Sequence, residues 1–143
     1  MLKHCKLLAI GMALLAAKTS YADISVGSGY QYGGVVGVKY AHVSENHVTY
    51  ASLGVVGGAI GYQHVLSTDK KHLVGVTVGS EVLTSEDGFA ALTYNYYTQG
   101  VDSPGWAWGA SAGVRREDDA GLFGRRDEIK TKSLFGIHFG YQF

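Results

Sequence analysis

The chain has one cysteine and one proline in 143 residues, and its 12 basic residues are matched by 12 acidic ones. The single thiol, Cys5, rules out an intramolecular disulfide framework. The absence of excess positive charge argues against a general nucleic-acid binder. No window carries a 3.6-residue apolar stripe, so an amphipathic-helix architecture is not indicated. No phosphate loop or dinucleotide fingerprint is present, and no cofactor is expected. His47, His64 and His72 lack metal-ligand spacing, so no metal is expected either. The longest apolar run, "LLAIGMALLAA", has 11 residues, short of the ~20 that a spanning helix needs.

That run sits between a basic start, "MLKHCK", and the small residues of "SYA". The three together form a secretory leader over residues 1–22, with cleavage expected between Ala22 and Asp23. Cys5 precedes the apolar run, so a lipoprotein anchor is not indicated. Residues 23–143 then have 9 basic and 12 acidic residues, and 20 of their 121 positions are Gly. Gly and Tyr are poor helix formers, and Tyr suits strands. The expectation is one all-β domain.

Alternation with a period of two supports it. In 73–83, Val74, Val76, Val78 and Val82 share one face, with Gly75, Thr77, Gly79 and Glu81 on the other. In 89–98, Leu92, Tyr94 and Tyr96 oppose Ala91, Thr93 and Asn95. In 106–116, Trp106, Trp108 and Val114 oppose Gly109, Ser111 and Arg115. At 135–143, Phe135, Ile137, Phe139, Tyr141 and Phe143 share one parity, and Gly136, His138, Gly140 and Gln142 the other. Turn clusters at 67–71, 84–88 and 99–105 separate these runs. Two longer runs, 24–43 and 48–66, each contain Gly-Gly, which supplies the positive φ of tight hairpins. Splitting there predicts eight strands: 24–32, 35–43, 48–56, 59–66, 72–83, 89–98, 106–116 and 130–143. Leaving both runs whole gives six. Tyr30, Tyr32, Val36, Val38 and Tyr40 keep one phase, whereas a two-residue turn at 33–34 would place Lys39 on the apolar face. A three-residue turn or a bulge would return Lys39 to the polar face.

The polar face is too small and Gly-rich for an ordinary soluble exterior, and charges concentrate in the turns. The inverse arrangement fits: large side chains face lipid, small and polar ones fill the interior, and the sheet closes because lipid tolerates no open edge. The expected fold is a closed antiparallel up-and-down transmembrane β-barrel. The ending "FGIHFGYQF", with alternating aromatics and a final Phe, resembles the C-terminal signal of bacterial outer-membrane β-barrels. With the leader and the length, the chain is similar to small barrels of the OmpX/Ail or OmpA-transmembrane type. The resemblance implies location in the outer membrane of a Gram-negative bacterium. It also implies assembly by the barrel-assembly machinery, which would read Phe135, Ile137, Phe139, Tyr141 and Phe143.

Within such a barrel, Lys39, Glu81, Asn95, Arg115 and His138 are expected to form an interior polar network that plugs the lumen. The one long connection, 115–132, carries six basic and five acidic residues. In it, Arg125, Arg126 and Lys130 are candidates for binding lipopolysaccharide phosphates. The expected role is structural or surface-interactive, in a monomer, with outer-membrane lipid as partner and no nucleic acid. Two alternatives stand beside it. "AHVSEN" holds His42 and Ser44, which share strand parity as a base and nucleophile of a lipid A deacylase-like esterase would. A soluble periplasmic β-barrel binding an apolar ligand is the other.

Overall fold

A computed structural model describes residues 22–81, 86–118 and 129–143. Eight strands close into one antiparallel barrel, each paired with the next and β8 paired back to β1. They are β1 (Ala22–Gly29), β2 (Gly34–Val43), β3 (His47–Gly54), β4 (Gly57–Val65), β5 (His72–Glu81), β6 (Glu86–Tyr97), β7 (Gly105–Asp118) and β8 (Ile129–Gln142). The six-strand alternative is thereby excluded.

The two faces fall as their side-chain sizes dictate. Phe135 and Ile137 are 80% and 86% exposed, whereas Leu134 and His138, on either side of this stretch, are buried. Val74, Val76 and Val78 point outward from β5, and Leu73 and Thr77 inward. An eight-stranded barrel has an interior only about a side chain wide. Large inward residues therefore need facing positions with no side chain. A Cβ on Gly61 would run into the Tyr50 ring, one on Gly136 would come within 2.8 Å of the Tyr30 ring, and one on Gly27 within 2.7 Å of the Tyr32 ring.

The first hairpin departs from expectation. β1 ends at Gly29, and Tyr30–Tyr32 form a single 3-10 turn, so the predicted strand 24–32 is cut short. Gly29, Gly33 and Gly34 take φ of 116°, 75° and 116°, which reverses the chain into the lumen. Tyr32 and Gln31 are thus fully buried, although Tyr32 shares sequence parity with the exposed Val36 and Val38. The register closes with Ser25 opposite Lys39 and shifts between Gly27 and Gly29. This is the irregularity that restores Lys39 to the inner face.

The second Gly-Gly pair is not a turn. Val55 and Val56 make the bend, and Gly57 and Gly58 belong to β4. Neither has positive φ. Gly57 instead lets β5 approach, since a Cβ there would run into the Ser80 carbonyl, and its N–H donates to the Gly33 carbonyl at 3.0 Å.

Strand pairing also fixes the barrel's stagger. Successive partners run from Ile24 to Tyr40, Ala51, Ile60, Val78, Ala90, Val114 and Ser133. The β8–β1 register, in which Phe139 faces Ser28, carries Ser133 to the level of position 34, ten residues from Ile24. A shear of ten over eight strands, at ~3.3 Å per residue and ~4.8 Å between strands, tilts the strands by roughly 40°. Each residue then climbs about 2.5 Å along the barrel axis.

Candidate functional site: a polar lumen inside an apolar belt

The lumen is layered. At the end that holds both termini, Ala41, Val43, Val48, Leu73, Val101 and Ala107 pack together. Val101 belongs to the β6–β7 turn, which folds inward and is tied by its carbonyl to Gln142 Nε2 at 2.7 Å. Towards the other end, Ala59, Phe89, Ala91 and Leu134 form a second apolar layer with Tyr30. Polar side chains lie between the two.

Two groups make up this polar middle. Lys39, 2% exposed, donates from Nζ to the Tyr97 hydroxyl at 3.2 Å. The ammonium lies 4.9, 5.2 and 5.7 Å from the ring centroids of Tyr32, Tyr50 and Tyr97. A buried cation needs compensation, and here three ring faces and a phenol oxygen supply it. The second group is centred on His138. Its Nε2–H donates to Asn95 Oδ1 at 2.6 Å, which leaves Nδ1 to accept from the Ser111 hydroxyl at 3.5 Å. Gln31 Nε2 lies 3.3 Å from the same Nε2, a contact between two donors and not a hydrogen bond, and Gln63 Nε2 donates to Gln31 Oε1 at 3.0 Å. The chain of contacts therefore crosses the lumen from β4 to β6 through the 3-10 turn.

Of the five residues expected inside, Lys39, Asn95 and His138 are buried together in this middle. Glu81 and Arg115 are half-buried on inward-facing positions near the far rim, and both make interactions there. Gln31, Gln63, Tyr50 and Tyr97 complete the network and were not anticipated. Gln63 and Tyr97 carry a parity signal, since each alternates with an outward residue. Gln31 carries none, because the 3-10 turn breaks the period.

Outside, the large apolar side chains form a belt. On β8 the row from Phe143 to Phe135 covers about 20 Å of height. Among the described residues the outward aromatics cluster towards one end, and Phe135 alone marks the other edge of the belt. Trp106 stacks on Phe139 at 4.8 Å and meets Tyr141 edge-on at 5.1 Å, and Tyr96 meets Trp108 at 5.5 Å. All of these lie towards the end that holds the termini. The opposite rim carries exposed Ser80, Arg116, Thr131 and Ser133 instead.

The remaining candidates are dispersed. Residues 1–21 of the expected leader, Val82, Arg125 and Arg126 lie outside the described residues, and the leader's last residue, Ala22, opens β1. Lys130 is in β8, opposite Glu117 of β7 in the register. His42 points outward from β2 beside Thr49 of β3. Ser44 lies in the following turn, its N–H donating to the His47 carbonyl at 2.9 Å. Among the described residues no hydrogen bond joins the His42 and Ser44 side chains. Comparison of the chain with protein-family models, with curated proteins and with solved structures finds no match.

Proposed function

We propose that the protein is a small integral β-barrel of a bacterial outer membrane, with a plugged lumen and a structural or surface-interaction role. The observation that carries this reading is the inversion of ordinary burial. Ile137 on the outside is 86% exposed, whereas Lys39 on the inside is 2% exposed. Monomeric soluble proteins rarely expose contiguous apolar patches beyond a few hundred Å². Here the exposed rows encircle the barrel, with Ile24, Val38, Leu53, Ile60, Val76 and Leu92 each on a different strand. A hydrocarbon surround removes that cost, and closure leaves no unpaired strand edge. The lumen is occupied by side chains, which disfavours an apolar ligand inside and favours a barrel that conducts no solutes.

Folding in detergent or lipid tests the reading directly. The chain without residues 1–22 is expected to fold only with an amphiphile, to migrate heat-modifiably in gels and to fractionate with membranes. A stable folded monomer in plain buffer would refute it. Liposomes containing the protein are expected to swell no faster than protein-free ones. Contact with lipopolysaccharide is the finer part of the proposal. Alanine at Arg125, Arg126 and Lys130 is expected to lower lipopolysaccharide co-purification, and unchanged co-purification would remove that part alone.

A further inference from the structure

Four of the five histidines beyond the expected leader are on the outside of the barrel, on four consecutive strands. His47 of β3 is directly opposite His64 of β4. His42 of β2 pairs with Thr49, two residues from His47, and His64 pairs with Val74, two residues from His72 of β5. With a shear of ten over eight strands, a level circuit climbs about 1.25 residues per strand. The offsets from His42 to His47, His64 and His72 are two, two and four residues, so the imidazoles stay level to within one residue. They therefore form an arc around nearly half the barrel. Trp106 and Phe143 continue the same ring on the other side, with no titratable side chain. The arc marks the boundary of the apolar belt at the end holding the termini.

We propose that this arc binds anionic lipid headgroups, recognising their phosphate diesters, and that binding tightens as its imidazoles protonate. The proposal rests on the reading of the chain as membrane-embedded. A neutral imidazole can donate one N–H to a phosphate oxygen, and an imidazolium donates two and adds a charge. Tyrosines flank two of the imidazoles, where their ring faces and hydroxyls suit the protonated form. His47 stacks on Tyr62 at 5.7 Å, and His72 shares a 2.6 Å hydrogen bond with the Tyr94 hydroxyl. On the next strand, Tyr96 lies 5.1 Å from the His72 ring. Tyr40 is the outward neighbour of His42 on β2. Below the arc, the β4–β5 turn offers Lys71. Its Asp69 is engaged by the Ser67 hydroxyl and the Lys71 N–H. Asp102 of the β6–β7 turn is engaged by Lys70 at 3.1 Å. Glu45 of the β2–β3 turn is the acidic group closest in sequence to His42 and His47, and Asp23 of β1 lies on an inward-facing position.

The test uses the chain without residues 1–22, folded into vesicles of phosphatidylcholine alone or with one-third phosphatidylglycerol. Urea midpoints are read from tryptophan fluorescence at pH 7.5 and 5.5, either side of the ordinary imidazole range. Phosphatidylglycerol is expected to raise the midpoint more at pH 5.5 than at 7.5, by roughly 0.5–1 M. That extra rise should vanish in H42Q/H47Q/H64Q/H72Q and halve in H47Q/H64Q, which guards against a fold defect in the quadruple variant. An equal pH effect in phosphatidylcholine, or its survival in both variants, would overturn the proposal while leaving the membrane reading intact. Failure to fold in either vesicle would overturn the membrane reading, and this inference with it.

Discussion

Val76 lies midway across the outer wall. It is four residues from His72 at one rim and four from Ser80 at the other, about 10 Å from each along the axis. If the belt is immersed in hydrocarbon, Val76→Arg places a guanidinium near the bilayer midplane, at a cost of about 2–4 kcal/mol. Ser80→Arg changes the same face of the same strand at the polar rim, where the cost is about 0–1 kcal/mol. With a urea slope of ~2 kcal/mol/M, the two variants should differ in midpoint by roughly 0.5–2 M. Both are exposed positions, so on a water-soluble barrel each change would fall within about 0.5 kcal/mol and the difference would disappear. Thr77→Arg is a poorer control, because Thr77 is fully buried and its hydroxyl donates to the Ile60 carbonyl at 3.2 Å. The assay is reversible unfolding from phosphatidylcholine vesicles. Matching midpoints for Val76→Arg and Ser80→Arg would refute the assignment of the outer face to lipid.

Asn95→Ala should destabilise the barrel by about 1–3 kcal/mol, because it leaves the His138 Nε2–H without its 2.6 Å acceptor. Denaturation in detergent micelles would measure this, and no loss would mean that the pair is not formed. Gly27→Ala should cost about 1–3 kcal/mol, since the added Cβ would lie 2.5 Å from the Phe139 carbonyl oxygen, 2.7 Å from the Tyr32 ring and 2.8 Å from Gly140 Cα. In a Tyr32→Ala background the same change should cost less if the ring is the obstacle, and as much if the backbone contacts decide. At the β4–β5 turn, the Ser67 hydroxyl and then the Lys71 N–H hold the Asp69 carboxyl below its usual 3.8. Such a lowered folded value stabilises the turn above the unfolded pKa, and the stabilisation is lost as pH falls through the folded one. Ser67→Ala should move the Asp69 titration upward, as followed by NMR, and an unmoved midpoint would discount the hydroxyl.

Which way each strand faces was legible from the alternation of side chains. A period of two over five or more residues fixes both faces at once, as in Val74–Val78 and Phe135–Phe143. The strand count followed from length, because runs of about 19 residues exceed what a tilted wall needs. Two features were not legible. Gly33-Gly34 and Gly57-Gly58 look alike in sequence, yet the first pair adopts positive φ and the second serves close backbone approach. Only tertiary context separates the two uses of a missing side chain. The inward fold of Tyr30–Tyr32 was hidden for a related reason. A 3-10 turn resets the phase, and Tyr32 on the outer parity is then swung inside. The lumen's polar residues were accessible where they lay on regular strands, as with Asn95 and His138, and inaccessible at Gln31. Lys39 was placed correctly only through the bulge alternative. Its tyrosine surroundings could not be anticipated, because they come from three segments far apart in the chain.

The wall is not uniformly fastened. β7 and β8 hold each other from Gly105 to Asp118, whereas β1 meets β8 only from Ser25 to Ser28, with one added bond from Phe143 N–H to Ile24. Unzipping under stress should begin at this seam, and insertion of the sheet should finish there. Tyr32 presses against Gly27 and Gly140, which face each other across it. The residue that fills the lumen is thus also the bolt on the one join that a partner would have to part.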